Sequence, residues 1–171
     1  MTNTAYLLLG SNDDAPANLR GAVDRLAALD PNIGRFKAVS GVFESPAAGD
    51  VPAPAYLNAA VILETPLDAA TLKAEVLRPI EAALGRVRPA SGEKPVRVPL
   101  DIDIVLFNQD VIDLGKRGIP DPDLLTHAHV AVPLAQLAPD YAHPVTGQTL
   151  VDIVVGLPDR HLISRPGIRL V

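Results

Sequence analysis

Leu100-Asp101-Ile102-Asp103-Ile104-Val105-Leu106-Phe107 constrains the fold of this chain more than any other stretch. Branched apolar residues in a short run mark a β-strand, and two carboxylates stand two positions apart inside it. Strand side chains alternate between faces, so Asp101 and Asp103 share one face while Ile102 and Ile104 take the other. Two carboxylates forced together repel unless a proton or a cation lies between them. Hard oxygen ligands at that spacing suit Mg²⁺, which keeps waters and shares its shell with substrate phosphates. The plainer alternative is an edge strand with a solvated acidic face. Upstream basic residues favour the first reading. Leu84-Gly85-Arg86-Val87-Arg88 closes a predicted helix, and Lys94 and Arg97 follow in a loop, which is the charge a polyphosphate needs around it.

The apolar periods along the chain predict the remaining elements. A first strand covers residues 4–9 and ends at Gly10-Ser11-Asn12. A helix from Pro16 to Leu29 follows, with Leu19, Ala22, Val23 and Leu26 on one face and Pro16 in its first turn. Residues 35–45 read as a second strand, 47–55 as a Pro- and Gly-bearing loop, and Tyr56 to Leu63 as a third strand. Thr65 or Asp68 then opens a helix lined by Leu72, Val76, Ile80 and Leu84, where Pro79 must kink the axis or lengthen one turn. After the acidic strand come a small strand at 110–112 and a short helix at 129–137. A last helix is opened by the cap-like Thr149-Leu150-Val151-Asp152, with Ile153, Val154 and Leu157 on its buried side. The order strand–helix–strand–strand–helix–strand predicts an α+β protein with a ferredoxin-like βαββαβ core. That core is an antiparallel sheet with helices packed on one face and extra C-terminal elements.

With 171 residues and no linker or repeat, one domain over 1–171 is expected. A hydrophobic share of 48% indicates a folded chain, and no apolar run reaches membrane-spanning length. The chain reads straight into its first strand without a basic leader, so a cytoplasmic location is the expectation. Absence of cysteine excludes disulfides, thiolate catalysis and Cys-based zinc sites. A net charge of −5 argues against general nucleic-acid binding, leaving a monomer that handles small molecules, away from membranes, as the expected state.

Several short stretches in order carry a family resemblance. They are Tyr6-Leu7-Leu8-Leu9-Gly10-Ser11-Asn12, Ser45-Pro46, Tyr56-Leu57-Asn58-Ala59-Ala60-Val61 and Ile80-Glu81 with Gly85-Arg86-Val87-Arg88. Leu100-Asp101-Ile102-Asp103, Leu106-Phe107 and Val132-Pro133-Leu134 complete the set. Over Ala5 to about Asp140 the chain resembles the 6-hydroxymethyl-7,8-dihydropterin pyrophosphokinase family of the folate pathway. The resemblance implies transfer of the β,γ-pyrophosphoryl group of ATP, the co-substrate, to the pterin hydroxymethyl oxygen with release of AMP. It implies that Asp101 and Asp103 hold two Mg²⁺ ions and that Arg86 and Arg97 complete the catalytic set. Ser45, Pro46, Ala48, Tyr56, Asn58 and His129 would line the pterin pocket. Arg78, Glu81, Arg88, Ile104, Lys116, Asp121 and His127 would lie on the ATP side. A flat heterocycle does want an aromatic face, Tyr56, and an amide, Asn58, for its ring donors and acceptors, although ordinary sheet packing would also explain both.

The chain departs from the family pattern at several places, among them His129 at the position of an aromatic that stacks on the pterin and Lys116 at the usual basic position after the small strand. Where the family has Pro-Arg-Thr before the Leu-Asp pair, this chain has Pro95-Val96-Arg97-Val98-Pro99, so Val98 stands at the arginine position and Arg97 one residue early. The family's Pro-His-Pro reads Pro120-Asp121-Pro122, and an arginine six residues on becomes His127. Lost guanidinium charge and an added carboxylate weaken ATP binding unless Arg97, Lys94, Lys116, Arg117 or Arg78 compensates. The alternative is a diverged member that binds a pterin or nucleotide with altered or lost transfer. A non-enzymatic module is a third reading that fold alone does not decide. Asp121, Asp123, His127 and His129 have metal-ligand chemistry at short spacing, but such residues are common in loops. His143 and His161 read as surface residues.

Overall fold

In the computed structural model, residues 1–171 are described except Ala48, Val51 and Lys94. Strand β1 (Asn3–Ser11) lies at the centre, paired antiparallel with β4 (Tyr56–Thr65) on one side and β5 (Asp101–Phe107) on the other. β2 (Arg35–Val39) and β3 (Phe43–Ser45) both pair with β4, and a short β8 (Ile163–Ser164) extends the sheet beyond β3. The resulting order, β5-β1-β4 and then β2 or β3, is the ferredoxin-like arrangement. The strand expected over 35–45 is split in two. Ser40 turns inward, where its backbone N–H donates to the Ala60 carbonyl and its hydroxyl accepts from the Ala60 N–H, so the chain leaves the ladder before Gly41.

Helix α1 (Ala15–Ala27) packs Leu19, Ala22, Val23 and Leu26 onto the sheet face formed by Ala5, Leu7, Leu9, Ile102 and Ile104. Beside it lies α2 (residues 69–83), whose middle, Leu72–Leu77, is π-helical. Pro79 is the reason. It offers no N–H to the ladder, and the lengthened turn is closed by Arg78 N–H donating to the Lys73 carbonyl five residues back.

The opposite face of the sheet is only half covered. Leu8, Ala60, Val105 and Leu106 lie under α3 (Ala128–Leu137) and α4 (Leu150–Gly156) through Val130, Leu134, Leu150 and Ile153. Val105 and Leu106 are adjacent in sequence yet share this face because β5 bulges there. Tyr6 pairs with Leu106 and Leu7 with Ile104, which leaves Val105 as the extra residue. The helices expected on a single face are therefore on both, since the C-terminal elements need this second apolar patch. Between β5 and α3 run a hairpin of β6 (Ile112–Asp113) and β7 (Gly118–Ile119) and a 3₁₀ turn, Pro122–Leu125. Neither β7 nor β8 stands out in sequence, because two-residue strands carry no period. Thr149 caps α4 by accepting the Asp152 N–H at 3.2 Å. Among the described residues, no helix is long and apolar enough to cross a membrane.

Candidate active site

The uncovered half of the second face is the floor of a cleft. Register brings Phe43, Asn58, Gly10 and Asp101 into one row across four strands, with Ser45 and Tyr56 in the next row and Asp103 beside Leu8 in the row below. Asp101 and Asp103 point to this face as their alternation with Ile102 and Ile104 requires. Gly10 keeps the floor open, because a Cβ there would stand 3.7 Å from both Asn58 Oδ1 and Tyr56 Cδ1. The cleft has a volume of about 390 Å³, within the range of small-molecule sites. Ser45, Pro46, Tyr56, Asn58, Arg86, Asp101, Asp103, Asp121, His127 and His129, all expected from sequence, line it together. Ala48, also expected there, and Lys94 lie outside the described residues.

On the amide side, Asn58 Nδ2 donates to Ser45 Oγ at 2.9 Å and to the Phe43 carbonyl at 3.2 Å. The side-chain carbonyl of this buried amide is thereby aimed at the cleft over Gly10. Tyr56 has its pKa raised by burial and then by the charge of Asp101, with Arg86 opposing, so its ring stays neutral at any working pH. His129 sits edge-on to His127 with ring centres 5.4 Å apart, and burial first, then His127, lowers its pKa. A neutral, half-buried imidazole is a usable flat surface.

Arg86 reaches the cleft because of the way α2 ends. Gly85, with φ of +96°, and Arg86 close a Schellman turn: Arg86 N–H donates to the Glu81 carbonyl at 3.0 Å and Gly85 N–H to Ala82 at 3.1 Å. The reversal sends the Arg86 side chain back over β5. Its Nη1 donates to the Leu100 carbonyl at 3.3 Å and lies 4.0 Å from Asp101 Oδ1, while its buried Nε has no partner among the described residues.

Asp103 is the most perturbed acid of the cleft. Burial and then Asp101 push its pKa up to about 6, against the pull of Lys73 and Arg117. Both of its oxygens face cations: Lys73 Nζ lies 3.7 Å from Oδ1 and Arg117 Nη1 3.1 Å from Oδ2. Paired carboxylates on one strand face, open to the cleft, fit a hard divalent cation that completes its shell with water and phosphate. Among the described residues, no group of three or more acidic or histidine side chains converges as an ion cage. Asp121, Asp123, His127 and His129 do not form one, and Arg117 neutralises the two aspartates instead.

Several expected ATP-side residues are elsewhere. Glu81 is fully buried and touches no open space. Its Oε1 accepts the Ile102 N–H at 2.7 Å and its Oε2 binds Arg88 at 2.7 Å, so both residues serve to tie α2 to β5. The Ile104 side chain is packed in the helix-covered core, as its face dictates. Arg78 is exposed on α2, and Lys116 is exposed in the β6–β7 hairpin, both off the cleft lining. Arg97 is 65% exposed and pairs outward with Asp13 at 3.2 Å. Val98 is held in register by Asn12, whose Oδ1 accepts the Val98 N–H at 2.6 Å, so Pro99 does not turn Arg97 inward. His143 is not a surface residue: it is buried, and Nδ1 accepts the N–H groups of Val145 and Thr146, both at 3.2 Å.

Three residues enter that sequence reasoning left without a role or named only as a spare charge. Arg117 replaces Lys116 as the cation of the hairpin. Lys73 reaches β5 because the π-turn re-aims it, donating to the Ile102 carbonyl. Asn12 joins two rims of the cleft, with Nδ2 donating to Val96 at 2.9 Å and to Pro54 at 3.4 Å.

A ferredoxin-like sheet with a cleft of paired carboxylates, arginines and an aromatic–amide pair at the open end of one face defines an α+β protein with a polar small-molecule cleft. A family model for 7,8-dihydro-6-hydroxymethylpterin-pyrophosphokinase (HPPK) matches residues 6–139, and the chain belongs to that family. It is 39% identical over 154 residues to the 2-amino-4-hydroxy-6-hydroxymethyldihydropteridine pyrophosphokinase of Methylorubrum extorquens, covering 90% of this chain and 92% of that protein. The protein of the same name from Pseudomonas aeruginosa is 32% identical over 168 residues, covering 98% and 99%. Among solved structures, wild-type HPPK-DHPS of Plasmodium falciparum with pteroate superposes with a TM-score of 0.68 at 16% identity. That match covers 90% of this chain and 44% of that longer one, and at such identity it speaks for the fold.

Proposed function

We propose that this protein transfers the pyrophosphoryl group of ATP to 6-hydroxymethyl-7,8-dihydropterin, giving the pterin diphosphate and AMP for folate synthesis. The observation that carries the reading is the shared row of Asn58, Gly10 and Asp101, which sets a heterocycle-sized floor directly beside the carboxylate pair. The pterin lies over Gly10 against Tyr56, with Asn58 Oδ1 accepting from a ring N–H and His129 on the far side. Its hydroxymethyl group then points toward Asp101. The hydroxymethyl oxygen attacks the β-phosphorus in line as its proton passes by way of the Asp101 carboxylate to solvent, the bond from that phosphorus to the α-phosphate oxygen breaks, and AMP leaves with that oxygen. Two Mg²⁺ ions held by Asp101 and Asp103 would supply charge neutralisation on the phosphate oxygens and polarise the attacking hydroxyl. Arg86 meets the triphosphate from the α2 end. Catalysis rests on positioning and charge neutralisation. The diverged alternative loses its motive at Asp121, whose two oxygens are taken by the Asp123 N–H at 2.9 Å and by Arg117 at 3.2 Å.

The test is incubation with the pterin, ATP and Mg²⁺, followed by ³¹P NMR and chromatography. AMP and pterin diphosphate in equal amounts are expected, with turnover largely lost in Asp101→Ala and Asp103→Ala. ADP as the nucleotide product would refute the reaction. Normal turnover in Asp103→Ala would refute the metal assignment.

A further inference from the structure

Arg117 makes three ion pairs with one guanidinium. Nη1 lies 3.1 Å from Asp103 Oδ2 and 3.2 Å from Asp121 Oδ2, and Nη2 lies 2.9 Å from Asp123 Oδ2. The partners differ in freedom. Asp121 is fixed: its backbone N–H donates to the Val105 carbonyl at 2.9 Å, its Oδ1 caps the 3₁₀ turn, and it is buried. Asp123 follows it in the same turn. Arg117 is half exposed, at the end of the exposed turn 113–117 between β6 and β7. A rigid acidic seat therefore holds a movable cation against the very oxygen that a metal at Asp103 would need.

We propose that Arg117 is a resident counter-cation that stands in for the divalent ion at Asp103 and passes to the phosphates when a metal-bound nucleotide enters. Asp121 and Asp123 are its positioning residues. This rests on the pyrophosphokinase reading and deepens it. A divalent ion arriving alone must displace the guanidinium from Asp103 and gains nothing in return. An ion arriving with a polyphosphate brings oxygen acceptors for the fork, which turns toward them while Asp121 and Asp123 keep hold of it. Asp121, which by sequence alone repels phosphate, acts through Arg117 to bring a cation to it.

The proposal has an opposite-sign signature that a merely structural arginine lacks. The probe is Mn²⁺ in place of Mg²⁺, with binding read by electron paramagnetic resonance, first alone and then with α,β-methylene-ATP. For Arg117→Met, relief of competition at Asp103 should tighten Mn²⁺ alone by roughly three- to tenfold, while loss of the phosphate contact weakens Mn²⁺–analogue by about tenfold or more. Arg117→Lys, a point charge without the fork, should fall between wild type and Arg117→Met in both measurements. Circular dichroism checks that each variant is folded, and the lysine variant keeps the comparison usable should the methionine variant lose structure. Mn²⁺ alone binding Arg117→Met no better than wild type, or the analogue binding it as tightly as wild type, would overturn the proposal. Failure of the wild-type protein to form AMP would refute the pyrophosphokinase reading instead, leaving the result with Mn²⁺ alone to judge the competition at Asp103.

Discussion

Replacing Asp103 by Asn tests the electrostatic design of the cleft without ligands. In the folded protein the Asp103 carboxyl titrates near pH 6, chiefly through burial and the charge of Asp101. In the unfolded chain an aspartate titrates near ~3.9. The folded state thus binds the proton more tightly, so this group lowers stability as pH rises from about 4 to about 6, and the full penalty remains above that window. A separation of about two pH units corresponds to about 3 kcal/mol. For a chain of this size that is roughly 6–10 °C in Tm. Asn keeps the shape and cannot ionise. In metal-free buffer the Tm of Asp103→Asn relative to wild type should therefore climb by roughly two-thirds of that amount between about pH 4.5 and about pH 7.5. The chain has no tryptophan, so far-UV circular dichroism is the suitable monitor. Parallel Tm–pH curves for the two proteins would show that Asp103 carries no stored repulsion, and the metal argument would lose its physical basis.

Tyr56→Ala should weaken pterin binding roughly tenfold, through lost stacking and burial, with little change for an ATP analogue; calorimetry with each ligand separates the two. Asn12→Ala removes the hydrogen bonds joining Pro54, Val96 and Val98, at a cost of about 1–3 kcal/mol, and should weaken both ligands together because both rims loosen. Glu81→Gln removes the buried charge that meets half-exposed Arg88 and Lys73, and urea unfolding should show a loss of about 1.5–3 kcal/mol. Arg97→Ala breaks only an exposed pair with Asp13, so ATP-analogue affinity should change less than about threefold and stability by under about 1 kcal/mol.

Strand alternation made the cleft largely legible in the sequence. Asp101 and Asp103 share a face because Ile102 and Ile104 need the other, and the same parity on β1 and β4 carries Gly10 and Asn58 into that row. The helix positions follow from their apolar stripes, and Pro79 announces an irregular turn. What escaped was where long side chains end. Lys116 and Arg117 are adjacent and equally basic, and only the hairpin's register decides which one faces Asp103. Arg97 was misplaced for a similar reason: it lies one residue from a backbone bridge between Asn12 and Val98 that has no sequence period. Glu81 follows an apolar helix face whose burial is complete, so a carboxylate that reads as a ligand contact is a bolt between α2 and β5. Packing of α3 and α4 on the second face depends on the bulge at Val105, and a bulge leaves no mark in an apolar run.

The departures at Val98, Asp121 and His127 make sense together once charge is counted over the cleft and its flanks. Among the described residues, Asp50, Asp101, Asp103, Asp121 and Asp123 contribute five formal negative charges, and Arg86, Arg117 and Lys73 three positive ones. Glu81 and Arg88 cancel as a pair. The site therefore holds a slight negative excess before any ligand arrives. A bare polyphosphate would meet like charge in a partly desolvated cleft, where repulsion is less screened than in bulk water. A polyphosphate already neutralised by divalent ions would not. An arginine in place of Val98 and a cation in place of Asp121 would reverse that sign and let the protein itself take up part of the phosphate charge. On the reading proposed above the burden shifts to divalent ions bound with the nucleotide, and Arg117, seated on Asp121, is the cation that would meet the phosphates beside them.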